Sequence, residues 1–114
     1  MRKTLLILHA SPLASDQRAL TALRLAGALL ADNKEVRVFL VEEGAKLIDP
    51  QLAGDNPCRG LFYELLDVGL EVQVCGATLR KLGWDEGYLL PGVQKSSMKA
   101  LSGLMTEADE IVSF

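Results

Sequence analysis

The chain has 114 residues, which predicts one domain spanning residues 1–114. Twelve Lys and Arg stand against fifteen Asp and Glu, and the resulting formal charge of −3 lacks the basic footprint that nucleic acid requires. Apolar residues are 49% of the chain and aromatics only 5%, so the core is aliphatic and a stacking platform for single strands is not expected. One His and two Cys supply neither the usual zinc sets nor a disulfide framework.

Met1–Leu8 opens with Arg2 and Lys3 before four apolar residues. A secretory core needs roughly 7–15 apolar residues, and no stretch nears the roughly 20 of a membrane span. The expectation is therefore a cytoplasmic protein without a membrane segment, in a compartment that keeps thiols reduced. Lys3–Leu8 reads as a strand buried on both faces of a parallel sheet. His9–Ser15 is a loop, and Ser15 or Asp16 caps a helix to about Asp32 whose buried stripe is Leu20, Leu23, Ala26, Leu29 and Leu30. Glu35–Val41 is a second strand and Glu42–Ile48 a short helical piece.

Asp49–Pro57 holds two prolines, a glycine and two aspartates, and reads as a loop. A helix over 58–68 follows, burying Leu61, Phe62, Leu65 and Leu66, with Gly69 just past its end. Glu71–Cys75 is the third strand, and Ala77–Leu82 a short helix stopped by Gly83. Pro91-Gly92-Val93 leads a fourth strand. Ser96 or Ser97 caps a helix to about Thr106 with Met98, Leu101, Leu104 and Met105 inward, and Glu110–Phe114 is a last strand. Alternating strands and helices predict a three-layer α/β/α sandwich on a mostly parallel sheet of about five strands.

Sites in such sheets lie beyond the carboxyl ends of the strands. That edge receives His9, Glu42, Glu43 and Cys75, and the start of the third helix brings Cys58 to it. Cys75 is followed by Gly76, which removes bulk beside the sulfur, and by a helix whose amides at Gly76 and Ala77 would stabilise a thiolate. Arg80 and Lys81 add positive potential. Thiolate is the attacking form in sulfur exchange, so Cys75 is the candidate nucleophile. A buried, inert thiol is the alternative, and the exposure of the sulfur separates the two. Cys58 is an accessory thiol or a plain boundary residue. His9 is a proton donor or anion partner, or a loop histidine with a structural partner. Trp84 and Tyr88 wall a pocket or cover a subunit interface. No glycine-rich phosphate loop occurs, and Thr78 rather than a second Cys stands three residues after Cys75.

Gly69-Leu70-Glu71-Val72-Gln73-Val74-Cys75-Gly76, Leu82-Gly83, Pro91-Gly92-Val93, Ser96-Ser97-Met98, Ala108-Asp109 and Ile111-Val112-Ser113-Phe114 occur in that order and spacing. Together with Lys3–Leu8 and the Asp16, Arg18-Ala19, Ala22-Leu23 pattern, they resemble the DsrE/DsrF-like sulfur-relay family across nearly the whole chain. The resemblance implies a persulfide carrier at Cys75 that takes sulfane sulfur from a donor protein and yields it to an acceptor thiol, without metal or organic cofactor. It also implies homo- or hetero-oligomers, often trimers or hexamers. Some relatives without the cysteine are architectural. A non-catalytic module that binds a small ligand or a partner near His9, Trp84 and Tyr88, or an architectural subunit, is the competing expectation.

Overall fold

A computed structural model describes residues 2–84 and 89–114. The elements are β1 (Lys3–Leu8), α1 (Arg18–Ala31), β2 (Glu35–Leu40), a 3₁₀ helix (Glu42–Ile48), α2 (Pro57–Asp67), β3 (Glu71–Cys75), α3 (Gly76–Leu82), β4 (Val93–Ser96), α4 (Met98–Glu107) and β5 (Glu110–Ser113). All strand pairings are parallel, in the order β4-β3-β2-β1-β5.

That order explains the layers. The steps from β1 to β2, β3 and β4 run in one direction, so right-handed crossovers put α1, α2 and α3 on one face. The return from β4 to β5 runs the other way and puts α4 on the opposite face. The expected three-layer sandwich is thus formed, with unequal outer layers.

Strand alternation divides the core accordingly. Leu6, Leu8, Val36, Val38, Leu40, Val72 and Val74 point to the three-helix side and pack with Ala19, Leu23, Ala26, Phe62 and Leu79. Leu5, Ile7, Phe39, Val41 and Cys75 point to the other side and pack with Leu101.

Local chemistry sets the helix ends. Asn56 caps α2, its Oδ1 accepting from the Cys58 N–H at 2.9 Å, and Pro57 opens the helix with preset φ. Gly69, at φ 98°, turns the chain after α2 in the predicted manner. The start of α1 differs from expectation. Gln17 adopts a left-handed φ of 58° and delays the helix to Arg18. Asp16 still serves its terminus, accepting from the Arg18 N–H at 3.2 Å and from Nε at 2.9 Å. Within α1, Ala19 and Ala22 are buried, whereas Leu29 and Leu30 are only partly covered.

The largest departure concerns α4. Met98 and Met105, expected inward, are 54% and 43% exposed, and only Leu101 is buried. A single helix touches a sheet along one line. Leu101, Leu104 and Ala108, spaced three and four apart, occupy that line and leave the methionines on the flank. The helix is fixed at its far end by Arg37, whose Nε meets Glu71 at 2.7 Å and whose Nη1 reaches Glu107 at 3.3 Å.

The sheet also fits closely around Gly44. A Cβ there would collide with the carbonyl oxygen of Leu8, because the 3₁₀ helix lies directly against the end of β1. Gly44→Ala is expected to cost about 1–3 kcal/mol through this backbone overlap, read as a lower urea midpoint. Gly54→Ala, with open space around it, is the comparison variant.

Candidate functional site

Cys75 ends β3 and immediately precedes α3, with an extended backbone at φ −65° and ψ 125°. Its residue is 2% exposed. The buried cluster around it is apolar, consisting of Leu5, Ile7, Phe39, Val41 and Leu101, with Leu104 and Ala108 partly buried beside it. By the criterion of exposure, the thiol is sealed.

The expected amide cradle at Gly76 and Ala77 is not formed, since the side chain of Cys75 makes no capping hydrogen bond to α3. The reason is strand parity. Val74 points to the side where α3 lies and Cys75 to the other, so the sulfur turns away from the first turn of that helix. Gly76 is needed for a different contact from the one predicted. A Cβ at this position would stand 3.0 Å from Cε of Lys95 and 3.3 Å from the carbonyl oxygen of Ser96. Its small size lets the Lys95 stem and β4 lie close to the strand end. The register explains this approach, with Val74 beside Lys95 and Cys75 beside Ser96.

Lys95 is therefore a charged neighbour of this strand end that sequence reasoning missed. Its only sequence signal is its place in a short strand following Pro91-Gly92. Arg80 is exposed in the last turn of α3, at the helix end away from Cys75. Nearby, Glu42 holds a left-handed φ of 52°, and its N–H donates to Thr78 Oγ1 at 3.3 Å. This bond ties the end of β2 to α3.

Cys58 and Cys75 share the carboxyl edge but not a face. Cys58 belongs to the core under α1 and α2, whereas Cys75 belongs to the core under α4. The sheet between them rules out a direct pair in this conformation. Cys58 is 3% exposed, and burial pushes its thiol above the ordinary value of 9.0. It lines a cavity of about 190 Å³ with Ser11, Pro12, Ser15, Gln17 and Pro57. His9 is exposed beyond β1, which lies two strands from β3. Its backbone N–H donates to the Phe114 carbonyl at 2.7 Å. Trp84 packs partly against the three-helix core, opposite the face of Cys75. Tyr88, the other expected pocket wall, lies outside the described residues.

The fold and site define a class: a five-stranded parallel α/β sandwich with a cysteine at the carboxyl end of an inner strand. The DsrE/DsrF-like family model matches residues 3–114, and the chain belongs to that family. An uncharacterised protein of Methanopyrus kandleri is 32% identical over 104 residues, covering 87% of this chain and 84% of its own. One from Methanocaldococcus jannaschii is 30% identical over 103 residues, covering 86% and 88%. Among solved structures, the ychN protein of E. coli superposes with a TM-score of 0.85 at 23% identity, over 100% of both chains. A protein of unknown function from Methanobacterium thermoautotrophicum gives 0.74 at 23% identity, again over 100% of both. These two likenesses concern the fold. Among the described residues, no helix is long and apolar enough to cross a membrane.

The Cys58 environment has a pH signature. Burial favours the neutral thiol in the folded state, so the folded group ionises at higher pH than the unfolded one. Stability from this group is intact below the ordinary thiol value of 9.0 and declines as pH rises beyond it. Urea midpoints at neutral pH and at about pH 10 check this. Cys58→Ala is expected to be less stable at neutral pH and to show a smaller decline between the two.

Proposed function

We propose that the protein takes part in sulfur relay as a one-thiol carrier, with Cys75 as the residue that holds the sulfur. Membership of the DsrE/DsrF-like family, with Cys75 at the carboxyl end of β3, carries this reading. The Cys75 thiolate attacks the outer sulfur of a donor persulfide. The bond from Cys75 Sγ to that sulfur forms, the donor's sulfur–sulfur bond breaks, and the donor leaves as a thiolate that takes up a proton. An acceptor thiolate then attacks the outer sulfur of the Cys75 persulfide, and Cys75 leaves as thiolate. The two steps are exchanges without net oxidation and call for no metal or organic cofactor. The donor and acceptor are proteins of the cytoplasm, where free thiols persist.

The burial of Cys75 favours a second reading, a non-catalytic or architectural subunit whose cysteine is a core residue. Mass analysis of the intact protein after incubation with inorganic polysulfide separates the two. The carrier gains sulfur that dithiothreitol removes, and Cys75→Ser loses most of that gain while Cys58→Ser retains it. A wild-type protein that takes up none, or a Cys75→Ser variant that takes up as much, would establish the second reading.

Either reading places the chain in a homo- or hetero-oligomer, a trimer or hexamer. Ile111 and Val112 are exposed on the edge strand β5, which supports self-association there. Sedimentation of the purified chain at micromolar concentration is expected to give a species larger than a monomer. A strict monomer that also purifies without a partner would exclude assembly.

A further inference from the structure

We propose that α4 is a lid over Cys75, with Leu101 as its plug and the Arg37–Glu107 pair as its latch, and that this lid opens without unfolding of the rest of the molecule. The inference rests on the reading of Cys75 as a carrier, which requires a sulfur that a partner can reach.

Two layers confine the sulfur. The sheet residues Leu5, Ile7, Phe39 and Val41 form one wall, and α4 supplies Leu101 to the same buried cluster. The connection accounts for the alignment. Ser96 of β4 lies beside Cys75 in register, α4 begins two residues later, and Leu101 comes within its first turn. The lid therefore leaves the sheet next to the residue it covers.

Its hold on the sheet is slight. Of its 10 residues only Leu101 is buried, whereas the 14 residues of α1 bury five. Segments with few buried apolar contacts open at a lower free energy than the whole domain. The helix itself is well formed, because Ser97 Oγ accepts from the Ala100 N–H at 3.1 Å and completes its first turn. Past its far end the chain is tied to β1, the Lys3 N–H donating to Asp109 Oδ2 and the Asp109 N–H to the Lys3 carbonyl, each at 2.8 Å, so the helix pivots about that tie as a unit.

The latch has two parts. Glu71 pins the Arg37 guanidinium to the sheet through Nε at 2.7 Å, leaving Nη1 to reach Glu107 at 3.3 Å. Glu107 is 58% exposed and Arg37 27%, so this is a weak tie that water competes for. Removing Glu107 leaves the Arg37–Glu71 pair in place.

The two cysteines make the proposal directly measurable, because they are buried on opposite faces. Opening of α4 uncovers Cys75 alone, whereas global unfolding uncovers both. The experiment is alkylation by iodoacetamide in the full chain, resolved by peptide mass spectrometry at Cys58 and Cys75 over a series of urea concentrations below the transition. Cys75 is expected to react faster than Cys58, with a clearly shallower urea dependence. Glu107→Gln is expected to raise the Cys75 rate by about two- to fivefold. Leu101→Ala is expected to raise it by more than about tenfold. Neither variant changes the ratio of the Cys58 rate to the global unfolding equilibrium.

Equal urea dependence at the two cysteines, or equal acceleration of both by the variants, overturns the lid. Sulfur loading is scored separately. Local opening at Cys75 without sulfur uptake would sustain the lid and defeat the carrier, whereas sulfur uptake with only global exposure would do the reverse.

Discussion

The central strands β1 and β2 end in apolar runs that are buried on both sides of the sheet, and the rest of the structure depends on that. These runs must be covered above and below, because apolar side chains leave both faces of the sheet at its carboxyl half. The handedness of the crossovers then assigns the covers unequally. Three successive steps in one direction stack α1, α2 and α3 on one face, and the single return step leaves the other to α4. One side is a deep core built with Phe62, Leu23 and Leu79, and the other a shallow one roofed by Leu101.

Strand parity turns this inequality into chemistry. A residue at the end of β3 points to one side or the other according to whether its position is odd or even within the strand. Val74 goes to the deep core and Cys75 to the shallow one. The sole cysteine at a strand end is thereby placed under the thinner cover, while Cys58, in the first turn of α2, faces the deep core. The same parity separates Cys75 from the amides of α3. Those helix amides point toward a region that the sulfur does not occupy. Lys95, brought in by β4 and accommodated by the missing Cβ of Gly76, pairs with Val74 and so lies on the side of the sheet away from the sulfur.

The shallow side is also where polar groups enter the sheet. Glu71 opens β3 beside Arg37 of β2, and the reach of Arg37 to Glu107 gives α4 a polar foothold where apolar contact is sparse. An arrangement of this kind tolerates movement better than a packed core does. Lost ion pairs at a half-exposed surface are replaced by water, whereas lost methyl contacts leave a void. On the same face the edge strand β5 leaves Ile111 exposed, in register with Leu5.

Much of this was legible along the chain. The aliphatic run at Lys3–Leu8, the alternation in Glu71–Cys75, the Asn, Pro and Gly signals around α2 and the order of elements determine a parallel α/β sandwich. These are local properties of strand and helix formation, and they fix which residues lie near the carboxyl edge. The chain also carried its family resemblance in the motifs around Cys75. Local pattern does not determine which of two faces a residue occupies relative to the helices, because that depends on crossover direction and register. It therefore placed Cys58 and Cys75 on one edge without separating them, and counted Met98 and Met105 as core when the solitary α4 buries only Leu101. Only the tertiary structure decided that the thiol is sealed, that Lys95 crosses Gly76 and that Arg37 reaches Glu107, since each contact joins elements that are distant in sequence and neighbours only in the folded sheet.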